Sequence, residues 1–219
     1  MTIESSRTLG GIGAILLVIA PLSGWFAGGF SGILGLAGLI LVLLSLNGLA
    51  NVFRERRILN NALYGAFIVI IGVIIAVVVF AYSALGMLSA FGIHVTNWMD
   101  PAAIQQAFQG FNPANFTLDL NALMPYIGAA ALAFIVLFVC VVFSAVMIRR
   151  SLNTVADKSG THMFSTAALL MLIGAILTIF VIGFLLIWVS LILLAVAFFE
   201  MRTTPPATQT TAPAPATQV

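Results

Sequence analysis

Ionisable side chains inside long apolar runs are the usual source of chemistry in a chain of this kind, and this sequence has almost none. Glu200 stands beside Arg202 at the end of the last apolar run. His94 and His162 lie in the segments between runs. Cys140 lies within a run, where a thiol behaves as a small hydrophobic group. We therefore expect no catalytic residues, no metal site and no cofactor, and the sequence predicts that this protein is not an enzyme.

Neutral polar residues inside the apolar runs are the remaining candidates for a site. The four of interest are Asn47, Tyr82, Ser144 and Thr178. Such residues hold helices together in a membrane through hydrogen bonds of about 0.6 kcal/mol each, or they line a path for a neutral or hydrophobic solute. Asn47 is the strongest candidate for more than packing, because an amide is costly to leave unpaired in lipid.

The composition sets the surroundings of these residues. The chain is 62% hydrophobic and 6% charged, whereas a soluble domain carries about 25% charged residues. A helix of about 20 apolar residues crosses the hydrocarbon core of a membrane. The sequence therefore predicts an all-α integral membrane protein, a six-helix transmembrane bundle with a short outer-loop helix. The predicted spans are residues 9–26, 32–50, 62–91, 123–148, 163–181 and 184–201.

The last two spans come from one apolar run, residues 163–201. As a single helix this run would be about 60 Å long, twice the thickness of the hydrocarbon core. We therefore expect it to fold back on itself, with the turn at Gly183.

The basic residues indicate an orientation. With six spans, all eight Lys and Arg residues fall on one side of the membrane, and the outer loop, residues 92–122, has none. Since basic residues in short loops stay in the cytoplasm, both termini are predicted to be cytoplasmic. The same residues are too scattered beside the spans to form a groove for nucleic acid, so no nucleic acid partner is expected.

The outer loop and the tail have patterns of their own. Asp100 and Pro101 are typical of a helix start, Gly110 is typical of its end, and Met99 and Ile104 have the spacing of a hydrophobic staple. This helix would cover the bundle mouth, or gate a substrate or dock a partner. Asn115 begins an N-glycosylation acceptor pattern. Residues 203–219, rich in Pro, Thr and Ala, are predicted to be disordered.

Glycine spacing and a short repeat predict close helix packing. Gly24, Gly28 and Gly32 recur every four residues, and Gly72 and Ala76 have the same spacing. Small residues at this period let helix backbones approach each other within the bundle, or between copies of the chain. The segment IGAIL occurs at residues 12–16 and again at 173–177, which suggests two related hairpins.

The first third of the chain also resembles a known family. The segments are SRTLGGIGAILLVIAP (6–21), GILGLAGLILVLLSLNGLANVF (32–53) and RILNNALYGAFI (57–68). They resemble an uncharacterised archaeal multi-pass membrane protein family, a domain of unknown function. The resemblance implies a plasma membrane location. It implies no activity and no functional residues.

Two functions follow from these observations. The first is a non-enzymatic scaffold or accessory subunit, whose partners would be membrane lipids and either further copies of the chain or another membrane protein. The second is a channel or transporter for a neutral or hydrophobic solute. The arrangement of the four polar side chains would discriminate between them, because a path needs them to converge.

Overall fold

The computed structural model describes residues 2–27, 30–95, 97, 100–109 and 120–201, and of residues 24–27, 30 and 31 it describes the backbone alone. Within these residues the regular structure is helical, with no strand. Six helices are long and apolar enough to cross a membrane, which confirms the all-α, six-helix prediction. They are α1 (Ile3–Ala27), α2 (Phe30–Val52), α3 (Arg56–Ala90), α5 (Leu120–Ser159), α6 (Met163–Leu177) and α7 (Ile182–Glu200).

The short outer-loop helix, α4 (Pro101–Gln109), is present as predicted. The Asp100 carboxylate accepts a hydrogen bond of 2.9 Å from the backbone N–H of Ala102. This contact satisfies one of the free donors of the first helical turn, so Asp100 is the helix cap. Met99 and Gly110, the predicted staple and stop, lie outside the described residues.

The chain divides into two compact units. Unit 1 comprises Met1–Tyr64 and Ala145–Val219, and unit 2 comprises Gly65–Ser144. In unit 1, α1 packs along both α2 and α7, and α6 packs along α7. In unit 2, α3 and α5 are in contact where the Ser144 hydroxyl donates to the Gly65 carbonyl. Because lipid offers no hydrogen bonds to the backbone, helices that satisfy their own are the natural choice for such apolar runs.

The two IGAIL segments have the same role in the two hairpins of unit 1. A Cβ atom on Gly13 would lie 2.8 Å from the Gly38 carbonyl oxygen of α2. A Cβ atom on Gly174 would lie 3.0 Å from the Gly183 carbonyl oxygen of α7. In each hairpin, therefore, the repeated glycine lies where the two helix backbones come closest. Among the described residues, nothing lies within 4 Å of a Cβ atom added at Gly32, and Gly24 and Gly28 lie outside the residues with described side chains.

The turn between α6 and α7 is not at Gly183, so that prediction is wrong. A short 3₁₀ turn, Thr178–Phe180, ends at Val181, which has a φ of 62°. Gly183 lies inside α7 and is buried, and a Cβ atom there would meet backbone atoms of Gly174, Leu177 and Thr178. Glycine is needed at position 183 for close approach, whereas a valine takes the left-handed conformation of the turn.

Three other helix ends also have left-handed residues. Gly92 (φ 77°) follows α3 and Gly160 (φ 68°) follows α5, as is usual for a helix stop. Arg54 (φ 53°) follows α2. There the Glu55 N–H donates to the Ala50 carbonyl (2.9 Å) and the Arg54 N–H to the Asn51 carbonyl (3.3 Å). These two bonds define a Schellman motif with arginine in the position that glycine normally occupies.

Helix α5 continues well past residue 148, the end of the predicted span. It ends at Ser159 and is about 60 Å long, twice the hydrocarbon thickness. The extension holds because Leu152, Val155 and Ala156 are buried in the core of unit 1. The polar residues between them, Asn153 and Thr154, are half-buried. The helix is therefore longer than the apolar run of the sequence indicates.

Candidate functional site

Two of the four predicted polar residues lie in unit 2, and they are far apart. The Ser144 hydroxyl donates to the Gly65 carbonyl at 2.8 Å, which joins α5 to α3. Tyr82 is 62% exposed, and its ring centroid is 5.8 Å from that of Tyr126. Along α3, Tyr82 is about 25 Å from the Gly65 contact. These two side chains therefore serve separate helix contacts.

The other two lie in unit 1 and are also apart. The Thr178 hydroxyl donates to the Gly174 carbonyl of its own helix at 2.9 Å. Asn47 is half-buried in α2, beside Leu46, which belongs to the core that also contains Phe164 at the start of α6. Thr178 is about 20 Å from Phe164 along α6. The polar residues of unit 1 thus do not form a common site.

The predicted glycosylation acceptor Asn115 lies outside the described residues. In the part of the chain that is described, no three His, Cys, Asp or Glu side chains come together as metal ligands would. Both histidines, His94 and His162, are exposed.

Serine and tryptophan side chains make most of the buried hydrogen bonds between helices. The Ser45 hydroxyl donates to the Ser6 carbonyl (2.6 Å), joining α2 to α1. The indole N–H of Trp188 in α7 donates to the Val18 carbonyl of α1 (2.9 Å). In the sequence, these residues stand out only as polar groups inside an apolar run. Their partners cannot be predicted from the sequence, since they are backbone atoms of another helix.

The core of unit 1 lies at the end where α2 finishes and α3 begins. Phe164 of α6 meets Phe198 of α7 edge to face, with ring centroids 5.1 Å apart, and both side chains are fully buried. Leu49, Ile58 and Val155 are buried in the same cluster. All six long helices contribute residues to this cluster, with Ala14 as the buried member from α1.

A cluster of basic residues, the arginine patch, lies against this core. It comprises Arg54, Arg56, Arg57, Arg149 and Arg150. The Ser151 hydroxyl donates to the Ile58 carbonyl at 2.6 Å, and both residues are buried. Arg57 directly precedes Ile58 and Arg150 directly precedes Ser151, so this hydrogen bond holds the arginine-bearing stretches of α3 and α5 side by side.

The arginine patch is largely exposed and has little counter-charge. Arg54, Arg56, Arg57 and Arg150 are exposed, and Arg149 is half-buried. Among the described residues, the ion pair in the patch is between Arg57 Nε and Glu55 Oε1, at 3.7 Å, with the Arg57 side chain 85% exposed. A pair so open to solvent is worth about 0–1 kcal/mol, which leaves the patch strongly positive.

Comparisons with known proteins agree with the resemblance seen in the first third of the chain. The family described as "Protein of unknown function (DUF996)" matches residues 34–192. An archaeal relative, the uncharacterized protein MJ1644 of Methanocaldococcus jannaschii, is 26% identical over 201 residues, which is 92% of this chain and 94% of the relative. No solved structure matches the chain. The protein is thus a multi-pass membrane protein that belongs to the DUF996 family.

Proposed function

We propose that this protein is a non-enzymatic membrane scaffold or accessory subunit that acts by assembling with other membrane proteins or with its own copies. The observation that carries the proposal is the hydrogen bonding of the polar residues in the spans. Ser144 and Ser45 bond to backbone carbonyls of neighbouring helices, and Thr178 bonds to its own helix. Side chains that are hydrogen-bonded to helix backbones in this way support a structural role for the polar residues.

Open small-residue positions on the spans support assembly. Among the described residues, a Cβ atom added at Gly128 of α5 would meet nothing within 4 Å, and the same is true at Gly32 of α2. At such an open glycine, the backbone of a further helix can come close. Gly128 lies between Ile127, which is 44% exposed, and a run of alanines.

Purification of the full chain from its native membrane in a mild detergent, followed by mass spectrometry, tests the proposal. We expect a second protein or further copies in a fixed ratio with the chain. The Gly128→Leu variant should lose some of this association, and Ile127→Leu, a change at the next position that adds no bulk, should keep it. Recovery of the chain only as a 23.1 kDa monomer would overturn the proposal.

The alternative, a channel or transporter for a neutral solute, has one specific observation in its favour. The hydroxyl oxygen of Ser83 and the amide oxygen of Asn153 are buried without a hydrogen-bond partner among the described residues. Groups of this kind could meet a passing solute. Glycerol-driven swelling of vesicles containing the protein tests the alternative: a flux that Ser83→Ala lowers would support it, and a rate equal to empty vesicles would exclude it for glycerol.

We also propose a plasma membrane location with both termini in the cytoplasm. Its support is the distribution of charge, because all seven described Lys and Arg residues belong to unit 1 and unit 2 has none. Basic residues in short connections are retained on the cytoplasmic side. The archaeal relative is consistent with a cell bounded by a plasma membrane.

A further inference from the structure

We propose that the arginine patch binds the phosphate of an anionic phospholipid headgroup. The depth of the patch is the first argument. Arg57 lies immediately before the apolar part of α3, and Arg149 lies immediately after the apolar part of α5. Residues at the ends of spanning segments lie at the level of the lipid headgroups, and clusters of basic residues there bind anionic lipids.

The convergence of the arginines is the second argument. Two consecutive arginines on α3 and two on α5 lie within two residues of the hydrogen bond between Ser151 and Ile58. An arginine can bind a phosphate through two parallel N–H groups, and several arginines around one phosphate are a common arrangement. Helix α3 also begins at Arg56, so the free N–H groups of its first turn add positive potential at the same place.

The backbone at Arg54 is the third argument. Arg54 has a φ of 53° at the end of α2, where glycine or asparagine is usual. A residue with a Cβ atom is disfavoured in this conformation, and the exposed Arg54 side chain makes no hydrogen bond or ion pair with another described residue that would offset the cost. Residues in disfavoured backbone conformations cluster at functional sites, where a contact with a ligand can offset the cost. A guanidinium that contacts a lipid phosphate would explain why arginine occupies this position.

The charge around the patch fits a lipid rather than a soluble anion. The patch has five arginines and, in contact with it among the described residues, the single carboxylate of Glu55. The neighbouring parts of α3 and α5 are apolar, so acyl chains can lie against them while the phosphate meets the arginines. Lipid binding at the arginine patch does not depend on assembly with a partner protein. It gives the protein a specific class of lipid as a ligand.

Native mass spectrometry of the full chain in detergent tests the proposal, with phosphatidylglycerol and phosphatidylcholine of the same acyl chains as probes. We expect phosphatidylglycerol to bind more tightly. Each arginine near an anionic lipid is worth about fivefold in affinity, from about 1 kcal/mol per basic residue. The double variant Arg56→Gln/Arg57→Gln should therefore weaken phosphatidylglycerol binding about 25-fold and leave phosphatidylcholine binding unchanged.

Two further variants separate binding from folding and from general charge. Arg54→Gly removes one charge but keeps the left-handed backbone, so it should weaken binding about fivefold without lowering the unfolding temperature. Lys158→Gln removes an exposed basic residue two turns beyond Arg150 on α5 and should change binding less than twofold, since it lies outside the patch.

Three results would overturn the proposal. The first is equal affinity for the two lipids. The second is an equal loss in Lys158→Gln and Arg54→Gly, which would mean that only net charge matters. The third is complete displacement of phosphatidylglycerol by millimolar inorganic phosphate, because the site would then take a free anion rather than a lipid headgroup.

Discussion

Gly183 gives the sharpest test of the hairpin between α6 and α7. A methyl group in Gly183→Ala would meet backbone atoms of Gly174, Leu177 and Thr178, which cannot rotate away as a side chain can. Adding a methylene to a packed interior costs about 1–3 kcal/mol, and rigid neighbours place this site at the upper end. Alanine is favoured over glycine within a helix by about 1 kcal/mol, which offsets part of the cost. We therefore expect a net loss of about 2 kcal/mol.

Gly35→Ala is the matched control, because it makes the same change in α2, where the new Cβ atom would have only an ordinary van der Waals contact of 3.7 Å with Ala20 Cβ among the described residues. It should raise the free energy of unfolding by as much as about 1 kcal/mol. Reversible unfolding of the detergent-solubilised protein by sodium dodecyl sulfate, followed by circular dichroism, measures both variants. The two changes should have opposite signs. A Gly183→Ala variant as stable as the wild type would refute the close contact between α6 and α7.

Three smaller changes test other contacts, the first two by the same unfolding measurement and the third by hydrogen exchange. Val181→Gly should stabilise the protein by about 1 kcal/mol, because glycine adopts a φ of 62° without strain. The Val181 side chain is 73% exposed, so little packing is lost with it. A loss of stability would mean that residue 181 does not have this left-handed conformation. Ser151→Ala should cost about 0.6–1.7 kcal/mol by removing the hydrogen bond to Ile58, and no change would exclude that bond. Asp100→Ala should cost helix α4 about 1 kcal/mol and increase hydrogen exchange of the Ala102 amide, whereas unchanged exchange would exclude the cap.

The long helices could be predicted from the sequence because lipid restricts the options so severely. An apolar run of sufficient length must form a helix that satisfies its own backbone, so the count of runs becomes the count of helices. The outer-loop helix was also predictable, since Asp100 followed by Pro101 is a local signal that needs no tertiary information.

The turn near Val181 could not be predicted because glycine has two uses in an apolar run. It adopts a left-handed conformation without strain, and it lets two helices touch. Gly183 has the second use, and only the partner backbone of Gly174 reveals this. In the same way, the end of α5 could not be found from hydropathy, because Leu152 and Val155 are buried by residues of other helices.

The partners of the polar residues were also beyond sequence reasoning. Ser144 was predicted either to bond to another helix or to line a path, and its acceptor, the Gly65 carbonyl, depends on the register between α3 and α5. The arginine patch was visible only as two separate basic segments, at residues 54–57 and 149–150. The hydrogen bond between Ser151 and Ile58 is the feature that joins them.

The central claim about this protein is that it crosses the membrane six times. Cysteine labelling of intact cells or sealed vesicles tests this claim most directly. In a Cys140→Ser background, single cysteines replace Gln105 in α4 and Lys158 at the end of α5, both of which are exposed. A membrane-impermeant maleimide should label the Gln105→Cys variant from outside and the Lys158→Cys variant only after the membrane is opened. Labelling of both positions from the same side would contradict the six-crossing arrangement.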